Sequence, residues 1–233
     1  MKLYVVGVGP GDPELLTIKA KRILEDSETI FCPKGGKESI ALSIVEKVVD
    51  IKNKRLVFLN FPMIKTKDER QSKNLKEVWE NLARKILTEM TNVSSFITLG
   101  DPTLYSTFFY LYNYLKDKVA IEFIPGVSSI NASASRIPTS LGIANEKIAI
   151  IPANYEVNLK EFAEKFDTII LLKPNKLFEE IKSFFADKNF QTYYIKRATT
   201  EEEEEIYKIL DEVPKEALEY FSIVIAKKVE ILK

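Results

Sequence analysis

The sequence predicts an α/β fold made of two α/β domains in succession, residues 1–116 and 119–233. Three observations predict it. Apolar, β-rich runs alternate with stretches whose apolar residues recur at helical spacing. Several of those runs end in turns that contain glycine and proline, where a strand hands over to a helix. A polar break, Lys116-Asp117-Lys118, separates a first round of this alternation from a second. Such alternation gives a largely parallel sheet covered by helices.

In the first half, Leu3–Val8 is a strand that runs into a glycine-rich turn. Leu15–Leu24 carries apolar residues at Leu15, Leu16, Ile18, Ala20, Ile23 and Leu24, a helical stripe. Thr29–Phe31 is a short buried strand, Ser39–Val49 a helix and Leu56–Leu59 a strand. The clearest helix spans Asp68–Met90, with Leu75, Val78, Trp79, Leu82, Ala83, Ile86, Leu87 and Met90 on one face, a stripe that must pack on something. Val93–Leu99 is a strand and Leu104–Leu115 an aromatic-rich helix. In the second half the strands are Ala120–Ile124, Lys147–Ile151, Thr168–Leu172, Thr192–Ile195 and Phe221–Ala226. The helices are Val127–Arg136, Leu159–Lys165, Lys176–Ala186 and Glu201–Leu210. The last opens on five glutamates, Glu201–Glu205, which read as the acidic first turn of a helix capped by Thr199 or Thr200.

Composition excludes several function classes. The chain is 45% hydrophobic and 29% charged, an ordinary globular balance. Lys+Arg and Asp+Glu are both 34, so no basic excess points to nucleic acid. Cys32 is the only cysteine, which excludes an internal disulfide and a cysteine-based zinc site and suggests a reducing, cytoplasmic setting. Histidine is absent, so imidazole bases and histidine metal ligands are excluded, and no metal site is expected. No apolar run reaches the roughly 18–20 residues of a transmembrane helix, so no membrane partner is expected. The opening residues are too short before their glycine turn for a signal peptide and read as a first strand.

Three turns could carry chemistry. Gly7-Val8-Gly9-Pro10-Gly11-Asp12-Pro13 lies between strand and helix, but it lacks the third glycine of a dinucleotide fingerprint and places Asp12 where a pyrophosphate would be repelled. It reads more simply as a tight turn. Leu99-Gly100-Asp101-Pro102 sits at the C-terminal end of a strand, where open α/β sheets bind ligands. Gly100 permits close backbone approach, and Asp101 can accept hydrogen bonds from a ribose or an amine; a capped β-turn explains the same residues. Ile124-Pro125-Gly126-Val127-Ser128-Ser129 repeats the pattern, with small hydroxyl residues opening a helix.

Together and in this order, the segments YVVGVGPGDPELLT (4–17), LGDPTLYST (99–107), IPGVSS (124–129) and the Ile170–Lys173 strand end resemble the tetrapyrrole methylase family over nearly the whole chain. Phe61-Pro62-Met63, Trp79, Tyr105-Ser106-Thr107 and Ile150–Ala153 look most like its members that methylate carbon 20 of precorrin-2 or cobalt-factor II in cobalamin biosynthesis. The resemblance implies two α/β domains with a cofactor cleft between them, S-adenosylmethionine as methyl donor, a tetrapyrrole substrate and a homodimer. It implies donor contacts at Pro10, Leu99, Gly100, Asp101, Leu104, Ser128, Ser129, Leu172 and Ala198, and a tetrapyrrole trough lined by the glycine-rich loop. Many relatives carry Met where Leu172 stands, an apolar exchange of similar volume. Asn92 stands where glycine is expected, and asparagine tolerates a left-handed turn. Lys34, Lys37, Lys65, Lys67, Arg70 and Arg136 are candidates for the substrate's carboxylates, and Phe61 and Met63 for an apolar wall. No catalytic side chain is assigned. Rival readings are a sister methylase acting on another corrinoid carbon or on uroporphyrinogen III, and a non-catalytic dimeric binding protein of the same fold.

Overall fold

The computed structural model describes residues 1–36, 38–62 and 73–229. The chain divides into two compact units, Met1–Ser128 and Ser129–Lys233. The start of the long helix at Asp68 lies outside the described residues, as do Lys37, Met63, Lys65, Lys67 and Arg70.

In the first unit β1 (Lys2–Gly7), β2 (Thr29–Lys34), β3 (Arg55–Asn60), β4 (Val93–Thr98) and β5 (Ala120–Ile124) form one sheet in the order β3-β2-β4-β1-β5. Every pairing in it is parallel. The crossovers carry α1 (Ile18–Asp26), α2 (Ile40–Val45), α3 (Lys73–Glu89) and α4 (Phe109–Leu115). A parallel sheet covered on both faces needs strands that are apolar on both sides. Val5-Val6 and Phe96-Ile97 meet that need and are fully buried. Leu3, Val5, Phe31 and Phe96 gather with Trp79 and Ile86 of α3 and with Leu111 and Leu115 of α4. Val6, Ile30, Ile97 and Ile124 gather instead with Ala20, Ile23 and Leu24 of α1 and with Ala41, Ile44 and Val45 of α2. The α3 stripe is anchored where Trp79 stacks on Tyr110 of α4, ring centroids 4.9 Å apart.

Two predicted helices start three or more residues late, for local reasons. Thr17 caps α1 through its hydroxyl, which accepts from the Ala20 N–H at 3.1 Å. Ahead of it Pro13–Leu15 forms a separate 3-10 turn capped by Asp12. The helix predicted from Leu104 begins only at Phe109, because Tyr105 has φ +55°, which a right-handed helix cannot contain. Asn92 is not left-handed; its carbonyl accepts from the Lys2 N–H at 3.1 Å.

The predicted boundary, between 116 and 119, differs from the observed division after Ser128. The segment Lys116-Asp117-Lys118 is the surface connection from α4 to β5, and β5 pairs with β1 from Lys2↔Ala120 to Val6↔Ile124. A polar break inside a parallel sheet's crossover has the composition of a linker.

In the second unit β6 (Ile148–Pro152), β7 (Thr168–Leu172), β8 (Phe190–Lys196), β9 (Glu205–Tyr207) and β10 (Ser222–Lys228) form a mixed sheet in the order β6-β7-β10-β8-β9. Only β6 and β7 are parallel; β10 runs antiparallel to β7 and β8, and β9 to β8. The helices are α5 (Ser129–Ser135), which packs against β10, α6 (Leu159–Lys165) and α7 (Phe178–Phe185). Ile169, Leu171, Tyr194 and Val224 share a core with Leu159, Phe178, Ile181 and Phe185.

The predicted helix over Glu201–Leu210 does not form. Its N-terminal part is a turn, β9 follows, and Leu210–Glu212 is a single 3-10 turn. Five adjacent carboxylates give a helix no apolar stripe, whereas Ile206 and Tyr207 suit a strand and pair with Ile195 and Tyr194. Among the described residues, no helix is long and apolar enough to cross a membrane.

Candidate functional site

At the C-terminal edge of the first sheet, β4, β1 and β5 end side by side, with Gly7 in register with Thr98 and Val6 with Ile124. An open parallel sheet binds ligands at this edge. The three exits pack backbone against backbone. The Gly100 N–H donates to the Gly9 carbonyl at 2.9 Å, and the Gly9 N–H to the Gly100 carbonyl at 3.4 Å. Both glycines are left-handed, with φ +78° and +67°. A Cβ on Gly7 would lie 2.6 Å from the Gly100 carbonyl oxygen, and one on Gly126 only 2.4 Å from the same atom. No side chain fits such an approach, which is why glycine stands at the strand exits.

Asp101 ties the exits together. Its Oδ1 accepts from the Thr103 N–H at 2.8 Å and from the Thr103 hydroxyl at 2.5 Å. Its Oδ2 accepts from the Gly126 N–H at 3.1 Å, joining the turn after β4 to the turn after β5. Burial pushes the carboxyl pKa up, but the bonds from the Thr103 hydroxyl, the Thr103 N–H and the Gly126 N–H outweigh it and hold the pKa below the usual range. Three of a carboxylate's roughly four lone-pair positions are thus used within the protein. Asp101 is an ionised staple with little accepting capacity left for a ligand. Pro10, Leu99, Leu104 and Ser128 are part-exposed in the same unit, and Gly100 is buried.

The second unit has a comparable edge. Pro152, Leu172, Ile223 and Ile195 lie in register across β6, β7, β10 and β8. Leu172 ends β7, Ala198 lies two residues past β8, and both are buried. The start of β10 braces both turns: the Lys173 N–H donates to the Ser222 carbonyl at 3.0 Å, and the Arg197 N–H to the Phe221 carbonyl at 2.8 Å. Arg197 Nε donates to Glu219 at 2.6 Å and its Nη1 to Glu203 at 2.6 Å. Lys173 Nζ sits 4.5 Å from the Tyr220 ring centroid, and the Arg197 guanidinium 5.6 Å from that of Phe221. Ser129 opens α5.

Backbone strain falls beside the sequence-predicted residues. Of five described non-glycine residues with positive φ, Tyr105 follows Leu104, Lys173 follows Leu172, and Arg197 and Thr199 flank Ala198. Such conformations persist where the surroundings over-determine them, and they cluster at functional sites. The brace at Glu219–Ser222 is not legible as a motif. Thr103 is: Asp followed two residues on by a hydroxyl residue marks an Asx turn.

Of the basic candidates, Lys34 ends β2 with its Nζ 5.3 Å from the Phe58 ring centroid. Arg136 instead faces Glu204, Nη2 to Oε2 at 2.6 Å. Phe61 is a core residue, 5.7 Å from the Trp79 ring and 6.3 Å from that of Phe96, and not a wall. Among the described residues, no group of three or more Cys, Asp and Glu is placed to hold a metal ion.

Fold and site define an α/β protein whose strand exits offer a ligand backbone turns, one ionised carboxylate and apolar side chains. Residues 2–213 match the model of the family Tetrapyrrole (Corrin/Porphyrin) Methylases, and the chain belongs to that family. It is 41% identical over 231 residues, 97% of this chain and 96% of the other, to a Methanocaldococcus jannaschii protein named "Probable cobalt-precorrin-2 C(20)-methyltransferase". It is 30% identical, covering 97% of this chain and 96% of the other, to the cobalt-precorrin-2 C(20)-methyltransferase of Salmonella typhimurium. The fold is also that of solved structures. The cobalt precorrin-4 methyltransferase CbiF superposes with a TM-score of 0.73 at 19% identity, covering 97% of this chain and 94% of that one. The uroporphyrin-III C-methyl transferase of Thermus thermophilus, complexed with S-adenyl homocysteine, does so with a TM-score of 0.68 at 24% identity, covering 97% of both chains.

Proposed function

We propose that this protein transfers a methyl group from S-adenosylmethionine to carbon 20 of precorrin-2 or its cobalt complex, a step of cobalamin biosynthesis. The observation that carries this reading is the 41% identity, spanning 97% of this chain and 96% of its relative, to the M. jannaschii protein named for that activity. The chemistry of the first unit's strand exits supports this donor. Pro10, Leu99 and Leu104 give part-exposed apolar side chains beside the first unit's strand exits, and the ionised Asp101 places a negative charge there, which suits a cationic ligand.

In this reading Pro10, Leu99, Gly100, Asp101, Leu104, Ser128, Ser129, Leu172 and Ala198 contact the donor. When bound, the donor supplies a methyl group already activated on a positive sulfur. The chain orients and excludes water. The glycine-packed exits and the Asp101 staple hold the turns rigid, so the reacting atoms meet in line without a search. The conjugated pyrroles of the acceptor make carbon 20 the nucleophile, so a chain without histidine suffices. The donor would give up its methyl group and keep the bonding pair on sulfur, and the proton displaced from carbon 20 would pass to water or a carboxylate. The protein works as a cytoplasmic homodimer in this proposal, which sedimentation at micromolar concentration tests; a monomer would refute the dimer.

Methyl transfer measured in parallel to precorrin-2, cobalt-precorrin-2 and uroporphyrinogen III tests the proposal. Turnover of either of the first two without the third supports it. Turnover of uroporphyrinogen III alone would replace it with a sister methylase, and no saturable binding of S-adenosylhomocysteine would leave a binding protein of the same fold.

A further inference from the structure

The glutamate run Glu201–Glu205 has no part in the reaction described above, yet three of its members hold partners around the Ala198 turn. Glu205 pairs with Lys196, and Glu203 with Arg197. Glu204 makes the most contacts. Both its carboxylate oxygens accept from Arg136 Nε at 2.9 Å, its Oε2 also accepts from Arg136 Nη2 at 2.6 Å, and its Oε1 accepts from the Thr199 N–H at 2.7 Å. Its side chain is only 12% exposed. A fork-on-carboxylate pair fixes direction as well as distance.

The ends of this clamp matter. Arg136 is the first residue past α5, the helix that Ser129 opens. Thr199 directly follows Ala198 and has φ +66°, a conformation that a β-branched residue keeps only when its surroundings impose it. One carboxylate therefore joins the helix of one proposed donor contact to the turn of another, within a single unit of the chain.

We infer that Glu204 is a positioning residue for methyl-donor binding: by gripping Arg136 and the Thr199 amide, it holds the Ala198 turn and α5 in the arrangement that the donor needs. The inference rests on the proposed assignment of Ser129 and Ala198 as donor contacts. The amide of Glu204→Gln keeps the side chain's shape but presents N–H groups where the carboxylate accepts, so part of the clamp opposes itself.

The test is calorimetric titration of Glu204→Gln, Arg136→Lys and the exposed control Glu202→Gln with S-adenosylhomocysteine, alongside steady-state kinetics and thermal melting. Glu204→Gln is expected to raise the Kd about tenfold, the effect of losing a charge-assisted hydrogen bond. The acceptor KM should stay at the wild-type value, and Glu202→Gln should match wild type throughout. Arg136→Lys keeps the charge but loses the fork; it should shift the Kd in the same direction by about threefold, and it decides the matter if Glu204→Gln does not fold. A Kd within twofold of wild type in the folded variants would overturn the role. So would a Kd and an acceptor KM that rise together with a lowered melting temperature, because that marks general loosening. If Asp101→Asn weakens binding while Glu204→Gln does not, this inference fails and the donor assignment stands. If the wild-type protein does not bind S-adenosylhomocysteine, the donor assignment fails first, and this role with it.

Discussion

Asp101 shows how one side chain can tie two strand exits together. Its carboxylate joins the turns after β4 and β5 through Thr103 and Gly126, and it is held ionised by those same bonds. Asp101→Asn replaces an acceptor with a donor opposite an N–H. We expect it to weaken S-adenosylhomocysteine binding about tenfold or more by calorimetry while the protein stays folded. The pH dependence has a definite sign. A carboxyl whose pKa is depressed by folding stabilises the folded state above the ordinary carboxylate range, and that stability is lost as pH falls through its lowered value. The melting-temperature gap between wild type and Asp101→Asn should therefore be widest near neutrality and close on acidification. A gap that is constant with pH would remove the charge from the explanation. The motif was legible in the sequence, because Gly-Asp-Pro at a strand end has a physical reading. That Asp101 spends most of its accepting capacity inside the protein was not, because Gly126 lies 25 positions away.

Among the elements, α3 and the glutamate run mark the two extremes of legibility. The α3 stripe is amphipathic at helical period, and Trp79, Ala83 and Ile86 are all buried. The helix predicted over Glu201–Leu210 had charge but no stripe, and its glutamates meet Arg136, Lys196 and Arg197 across the fold. Local acidity cannot reveal partners that arrive by tertiary structure. The glycine exits are the element on which the proposed donor site depends. Gly126→Ala puts a methyl group 2.4 Å from a backbone oxygen that cannot step aside. It should cost about 1–3 kcal/mol of stability in denaturant unfolding and abolish donor binding. Gly36→Ala, with nothing within 4 Å of the added carbon, should be neutral in both. Equal behaviour of the two variants would show that the strand exits do not touch.

For the whole molecule, the alternation of strands and helices was enough to read two α/β halves, and every predicted strand is present. The boundary and the mixed second sheet were harder to read. An antiparallel β10 between β7 and β8 has the same apolar run as a parallel strand would, and a polar crossover loop has the same composition as a linker. Membership of the tetrapyrrole methylases rests on the full-length pattern and not on any one turn. The most direct test of the central claim is incubation of the protein with precorrin-2 or cobalt-precorrin-2 and a donor carrying a carbon-13 methyl group, with the product read by NMR. The account predicts one new methyl signal, assigned to carbon 20. A labelled methyl group on any other carbon, or none at all with either acceptor, would contradict it.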